Sequence, residues 1–323
     1  MSVYAFVFPG QGSQSPGMGQ DLADAFPAAR EVFQEVDDAL EQKLSKIIFE
    51  GPAEELTSTE NTQPALMAVS MAVVRVLERE GGVDFSTRAT LMAGHSLGEY
   101  SALAAARSFG IADTARLLRL RGRAMQRAVP AGEGGMAALI GVTPEQAQEV
   151  CEEAAILKVE GQPDQREILE VANDNGGGQI VISGQMAAID RAIVIAKEKG
   201  IKRAVKLPVS APFHSSLMRP AADEMAEALD RADVKAPIVP IIANVTAAKV
   251  TSPDMIRELL VRQVTGTVRW RESVEAMVGM GVDHFVELGA GKVLSGLIRR
   301  IAPDAKTESV GTLDTIDSFL RTL

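Results

Sequence analysis

The sequence predicts an α/β fold in which a smaller unit is inserted into a larger one, and three observations carry that prediction. The chain opens on a short apolar run, Tyr4-Ala-Phe-Val-Phe8, which ends at Pro9-Gly10 and is followed by helical periodicity over 21–40 and 64–79. A second strand over 90–93 leads straight into a helix over 96–106, and another helix spans 113–129 with Asp113 as its expected N-cap. After a Gly-rich hinge at 131–134 the pattern becomes strand 136–140, helix 144–155 capped by Thr143, strands 168–172 and 179–182, helix 186–199 stopped by Gly200, and strand 203–207. That order, βαββαβ, is the ferredoxin-like split unit and is complete in itself. Residues 131–207 therefore read as a small domain, and residues 1–130 with 208–323 as the large one. The large domain closes with helix 216–232, strand 239–243, helices 253–264 and 272–280, strand 284–287 and helix 292–301. The cleft between the two domains is the expected place for a site.

Composition narrows the function classes. With 323 residues, 46% hydrophobic and 24% charged, the chain has ordinary globular proportions, which excludes a disordered or low-complexity role. Lys+Arg 33 against Asp+Glu 43 gives a net charge of -10, so no global basic field attracts a phosphate backbone, and no nucleic-acid partner is expected. A single cysteine, Cys151, cannot form an intramolecular disulfide, and three histidines far apart in sequence argue against a zinc site. No metal or other cofactor is expected, and a reducing cytoplasm fits. The uncharged stretch before Asp21 is broken by Pro9, Pro16 and four glycines and has no basic region before it, so it reads as a loop and not as a signal peptide. The longest uncharged apolar stretch elsewhere, 61–74, is shorter than the roughly 20 residues of a membrane helix. No membrane partner is expected.

Gly94-His-Ser-Leu-Gly98 fits G-x-S-x-G, and it follows an apolar strand and precedes a helix, the context a nucleophile elbow requires. A serine in such a turn is forced outward, and the helix N-terminus offers amide dipoles to a developing negative charge. The plainer reading makes Ser96 a simple N-cap. A nucleophilic serine needs a base, and three histidines are available. His95 adjoins Ser96, where neighbouring side chains diverge, and His284 opens an apolar strand and reads as packing. His214 stands in a Pro-punctuated loop just after the small domain returns, and it is the expected base.

Five arginines lie on the helix over 113–129. Arg116, Arg119, Arg123 and Arg127 share one face and read as a solvated stripe, while Arg121 falls with Leu117, Leu118 and Met125 on the apolar side. A guanidinium turned inward needs a carboxylate. That carboxylate belongs either to a ligand or to an internal Asp or Glu, and periodicity leaves both open. The loop Phe8-Pro-Gly-Gln-Gly-Ser-Gln14 can present backbone N–H groups to an anion. Nucleotide motifs fail, because Ser15 stands where the last Gly of G-x-G-x-x-G belongs and Val293 follows Gly289-Ala-Gly-Lys292 in place of Ser or Thr. An oxyanion-hole donor loop remains, beside the plainer reading of a strand-end turn.

Together these segments resemble the malonyl-CoA:acyl carrier protein transacylases of fatty acid synthesis and the related acyltransferase domains of polyketide synthases. The resemblance rests on Phe8 to Gln14, Thr62-Gln-Pro-Ala-Leu66, Gly94-His-Ser-Leu-Gly-Glu-Tyr100, Leu120-Arg-Gly122 with Met125-Gln126, and Pro208 to His214. It extends through Leu260-Val-Arg-Gln263 with Val268-Arg-Trp270, and Glu287-Leu-Gly289 with Gly291-Lys-Val-Leu294, so it spans nearly the whole chain. It implies an α/β-hydrolase-like large domain with an inserted ferredoxin-like small domain. It also implies Ser96 as acyl acceptor, His214 as base, Arg121 as partner of the malonyl carboxylate, and Gln11 and Leu97 as oxyanion-hole amides. Gln263 matches the position whose backbone carbonyl orients the histidine in place of an acidic residue.

The implied reaction is malonyl transfer from malonyl-CoA to the phosphopantetheine thiol of holo acyl carrier protein, by ping-pong kinetics and with the chain as a monomer. The Phe213-His214 pair resembles the malonyl-selective form. A thioesterase using the same serine, a trans-acting acyltransferase of polyketide synthesis, and a silent carrier-protein binder are the alternatives. Asn173-Asp-Asn-Gly-Gly-Gly-Gln179 departs from the usual Asn-x-Asn-x-Pro-x-Gln, which predicts a looser loop, and Ala290 replaces the Pro of a Gly-Pro-Gly turn. Lys202, Arg203 and Lys206 are expected candidates for docking an acidic carrier protein.

Overall fold

In the computed structural model, which describes residues 2–158 and 163–322, twelve strands are seen among the described residues. They are β1 Tyr4–Phe8, β2 Ala89–Gly94, β3 Gly134–Ile140, β4 Ile156–Leu157, β5 Gln165–Arg166, β6 Leu169–Asp174, β7 Gln179–Gln185, β8 Arg203–Lys206, β9 Ile241–Ala243, β10 Ala248–Val250, β11 His284–Leu288 and β12 Lys306–Val310. One sheet runs β10-β9-β2-β1-β11-β12 and a second runs β6-β7-β3-β8, while β4 and β5 form a short ribbon. The chain is mixed α/β.

β1 lies near the centre of the larger sheet, parallel to β2 on one side and β11 on the other. All five of its residues are buried, which is why it reads as an unbroken apolar run and not as an alternation. β1 and β2 are adjacent and parallel, so the loops that leave their carboxyl ends lie side by side and border a crevice. The second sheet is antiparallel throughout, and Ala137, Leu139, Ile180 and Ile182 on one face pack under Val150 and Ile189 of helices Pro144–Ala154 and Met186–Glu198 as a core of its own. The two sheets are joined near the crevice, where Val268 N–H donates to Ala172 O at 2.8 Å and Asp174 N–H to Val268 O at 3.0 Å.

Several expected elements change on folding. The helix expected over 21–40 is two helices, Gln20–Ala25 and Pro27–Leu40, because Phe26 is extended before a proline that opens the second. The helix expected over 64–79 begins at Thr59 and runs to Arg79 with Pro64 inside it, held by burial on nearly every face, and two short helices without a counterpart in the sequence reading, Leu44–Glu50 and Ala53–Thr57, precede it. Asp113 is not an N-cap: the helix is Ile111–Arg127, its N-cap is Gly110, and Asp113 instead pairs with Arg116 at 2.7 Å. The solvated stripe is also incomplete, since Arg119 is buried beside Glu60. Gly122 explains this, for a Cβ there would lie 2.6 Å from the Glu60 Cα, so the two helices approach closely enough to cover Arg119. The helix expected over 216–232 starts as a 3-10 turn, Ser216–Met218, and becomes α-helical over Arg219–Arg231. β10, β12 and the helix Leu313–Leu320 complete the large sheet's edges without a counterpart in the sequence reading. Among the described residues, no helix is long and apolar enough to cross a membrane.

Candidate active site

Ser96 sits between β2 and helix Leu97–Ala105 with φ 54 and ψ -113, a backbone that costs strain for any residue with a side chain. The flanking glycines are sterically required. A Cβ on Gly94 would fall 1.9 Å from the Gly98 carbonyl oxygen, and one on Gly98 would fall 2.3 Å from the Phe8 carbonyl oxygen. Ser96 stands at the N-cap position of its helix, but its side chain makes no cap hydrogen bond there. Asn244, just past β9, braces the turn: its Oδ1 accepts from Ser96 N–H at 2.8 Å and its Nδ2 donates to Gly94 O at 2.7 Å.

His214 reaches this serine from 118 residues away, with Nε2 at 2.7 Å from Ser96 Oγ. Its Nδ1 lies 2.8 Å from the Gln263 backbone carbonyl near the end of helix Pro253–Thr265. A carbonyl only accepts, so Nδ1 carries the proton and Nε2 faces the serine hydroxyl with a lone pair. Burial, reinforced by the nearby Arg121 cation, pulls His214 down to about 3 and keeps the imidazole neutral. The other histidines go elsewhere. His95 Nε2 meets Asn175 Oδ1 at 2.8 Å, and His284 Nε2 meets Glu308 at 2.9 Å while its ring stacks on Tyr4.

Arg121 points inward and is fully buried. Its Nη1 donates to Gln63 Oε1 at 2.7 Å, and its Nη2 to Gln263 Oε1 at 2.9 Å and to Ser96 Oγ at 3.2 Å. Its partners are thus neutral oxygens, and no direct ion pair with an internal carboxylate satisfies it among the described residues. Glu99 is the nearest acidic influence. Burial pushes the Glu99 carboxyl up to about 7, against the hydrogen bonds from Gln263 Nε2 and the Asn244 N–H and the pull of Arg121. A guanidinium held by amide oxygens in a low-dielectric pocket keeps an uncompensated attraction for an anionic ligand.

The loop after β1 lies against the elbow, where a Cβ on Gly10 would stand 2.7 Å from the His95 carbonyl oxygen. Gln11 and Leu97 both line a cavity of about 120 Å³ together with Ser96, His214, Arg121 and Gln63. Leu97 opens its helix, where an N–H has no carbonyl a turn behind it. The Gln11 side chain accepts from Thr59 Oγ1 at 3.0 Å, and Thr59 Oγ1 in turn accepts from Gln63 Nε2 at 3.0 Å. Met125, Met136, Leu207 and Phe213 give the rest of the wall an apolar character.

All six residues singled out in the sequence therefore meet at one place, the crevice at the ends of β1 and β2. Gln63, Glu99 and Asn244 join them and were not singled out. Gln63 and Glu99 stand within the quoted segments Thr62 to Leu66 and Gly94 to Tyr100, which is the signal that would have found them. The glycine loop forms a hydrogen-bonded turn. Gly176, Gly177 and Gly178 all take positive φ, Asn175 N–H donates to Gln179 O and Gln179 N–H to Gly176 O, both at 3.0 Å, and Asp174 pairs with Arg271 at 2.9 Å. Of the suggested docking cations, Lys206 is paired with Asp190 at 2.5 Å.

Residues 5–314 match the family model described as acyl transferase domain. A malonyl CoA-acyl carrier protein transacylase of Bacillus subtilis (strain 168) is 45% identical over 100% of this chain and 98% of its own. The crystal structure of an acyl-carrier-protein-S-malonyltransferase from Bartonella henselae superposes with a TM-score of 0.93 at 56% identity, covering 99% of each chain. A solved complex of a type II PKS acyl-carrier protein with its malonyl-transacylase gives a TM-score of 0.93 at 42% identity, covering 100% of both chains. With the serine elbow, the histidine and the buried arginine in one cavity, the chain belongs to the acyl transferase family, which includes the malonyl CoA-acyl carrier protein transacylases.

Proposed function

We propose that the chain is an [acyl-carrier-protein] S-malonyltransferase that moves a malonyl group from malonyl-CoA to the phosphopantetheine thiol of holo acyl carrier protein in fatty acid synthesis. The observation that carries this reading is the placing of one oxygen, Ser96 Oγ, between a neutral imidazole and a buried guanidinium that lacks a carboxylate partner. The imidazole supplies a base and the guanidinium selects the acyl group.

In the first half, His214 Nε2 takes the Ser96 proton as Oγ attacks the thioester carbonyl carbon. The oxyanion is received by the Gln11 and Leu97 amides, each worth roughly 3 kcal/mol in a preorganised site. Collapse breaks the C–S bond, the CoA sulfur leaves with the proton from His214, and malonyl-Ser96 remains. In the second half the carrier-protein thiol gives its proton to His214 and attacks the ester carbonyl, and Ser96 recovers that proton as it departs. Arg121 holds the malonyl carboxylate through both halves, and the Gln263 carbonyl keeps Nδ1 protonated and the ring aligned. Action as a monomer belongs to the same proposal.

The domain reading belongs to the same proposal. Residues 131–207 form a ferredoxin-like small domain, supported by the antiparallel order β6-β7-β3-β8 and its separate core, set in an α/β-hydrolase-like large domain. Asn173, Leu207 and Met136 bring the small domain to the cavity wall. The test is intact mass. Incubation with malonyl-CoA is expected to give a single malonyl adduct that is lost in S96A and discharged by holo acyl carrier protein. Release of malonate at a rate unaffected by carrier protein would establish a hydrolase, and no adduct at all would overturn the reading.

A further inference from the structure

Glu99 lies in the first turn of the helix that follows Ser96, and it is wholly buried without taking part in either half of the transfer proposed above. Its Oε2 accepts from Gln263 Nε2 at 2.7 Å and from the Asn244 backbone N–H at 3.1 Å. The Gln263 side chain therefore spans a carboxylate and a guanidinium. Its Nε2 faces Glu99, the Ser96 carbonyl at 3.0 Å and Asn244 Oδ1 at 3.3 Å, while its Oε1 faces Arg121 Nη2 at 2.9 Å.

Only one orientation of this amide satisfies its neighbours. Turning it over would set an oxygen against three acceptors and an NH2 against a guanidinium, which has no lone pair to offer. Of the three acceptors on the nitrogen side, Glu99 is the shortest contact and the one able to carry charge, and a bond to a charged group is the stronger kind. Arg121 depends on the outcome, because Gln263 Oε1 and Gln63 Oε1 are the two amide oxygens that fix its fork.

We propose that Glu99 is a positioning residue for acyl selection: by holding the Gln263 amide, it presents the Arg121 guanidinium to the carboxylate of the incoming acyl group. The inference rests on the reading of Arg121 as partner of the malonyl carboxylate. A merely structural Glu99 would lower transfer of every acyl group alike, whereas a positioning Glu99 alters the preference between charged and uncharged ones.

The experiment compares acyl-enzyme formation from malonyl-CoA and from acetyl-CoA in the wild-type chain, E99M and E99Q. E99M removes the acceptor at similar volume and is expected to cut the malonyl-to-acetyl ratio of kcat/KM by at least about tenfold. E99Q keeps an acceptor and is expected to restore the ratio to within about threefold of wild type. An unchanged ratio in E99M, or an equal fall for both acyl groups, overturns the proposal. Should E99M not fold by circular dichroism, E99D replaces it, since drawing the carboxylate back must lower the ratio too, and a wild-type ratio in E99D overturns the proposal. A wild-type chain with no preference for malonyl would overturn the reading of Arg121 and this inference together. A wild-type preference for malonyl that stays at its full ratio in E99M would overturn the role of Glu99 alone.

Discussion

Arg121 and His214 share a target: Nη2 of the arginine stands 3.2 Å, and Nε2 of the histidine 2.7 Å, from the same Ser96 oxygen. The cation beside the base helps hold the imidazole unprotonated, as its depressed pKa reflects, while burial does most of that. In the proposed reaction recognition and activation meet at this single atom, and the two are expected to separate under mutation.

Arg121→Ala is expected to lower kcat/KM for malonyl-CoA by roughly a hundredfold or more, since it removes charge-assisted bonds in a desolvated pocket. Acetyl transfer should hold or improve. Stopped-flow or quenched measurement of both acyl-CoA substrates checks this, and equal losses would make Arg121 a structural residue.

His214→Ala is expected to lower the rate of acyl-enzyme formation by about 10³-fold, the usual worth of a positioned base. The Ser96→Ala protein should carry no acyl group under any condition. Both variants are read by mass spectrometry against time, and an H214A protein acylating at the wild-type rate would place the base elsewhere.

Two buried groups give folding stability opposite dependences on pH. Glu99 is raised from 4.5 to about 7, so the folded chain holds this proton more tightly; its contribution is fully present below pH 4.5 and is lost as pH rises through 7. His214 is lowered from 6.5 to about 3, so the unfolded chain holds that proton more tightly; its contribution is present above pH 6.5 and is lost as pH falls toward 3. Urea midpoints should show E99Q gaining on wild type from about pH 5 to about pH 8, and H214N gaining as pH falls from about 6.5 to about 4. Slopes of the reverse sign would contradict the burial argument.

Gly177 stands where related sequences were expected to carry proline, at a φ of 57 that a proline ring cannot adopt. Gly177→Pro is expected to destabilise the chain by roughly 2 kcal/mol or more, seen as a lower thermal midpoint, and to raise KM through the neighbouring Asn175. An unchanged midpoint would show that the turn can be rebuilt.

Much of the site is legible because its chemistry is local. The Gly94 to Gly98 turn announces a strained serine by the two glycines it cannot do without, and Arg121 stands out as a charge on the apolar side of a periodic helix. His214 follows by elimination among three histidines. Glu99 and Asn244 escape such reading because each is defined by partners far away, Gln263 at a separation of 164 residues and Ser96 at 148. Arg119 misleads for a related reason, since helical spacing predicts a face but not the close approach that Gly122 allows. β12 goes unread because its Lys-Thr-Glu-Ser-Val sequence is an edge strand, half covered and largely polar. The glycine loop has a conformational reason that composition alone does not give: three glycines are what a turn of consecutive left-handed backbones demands.

The partner of His214 Nδ1 is a main-chain oxygen, and this shapes how the chain can vary. No amino-acid replacement at position 263 deletes that acceptor, so a mutational scan would register only the side chain's dealings with Arg121, Glu99, Asn244 and the Ser96 carbonyl. Its supply depends instead on the course of the backbone near the end of one helix, which leaves the proposed alignment of the imidazole open to insertions or deletions there and invisible to point replacement.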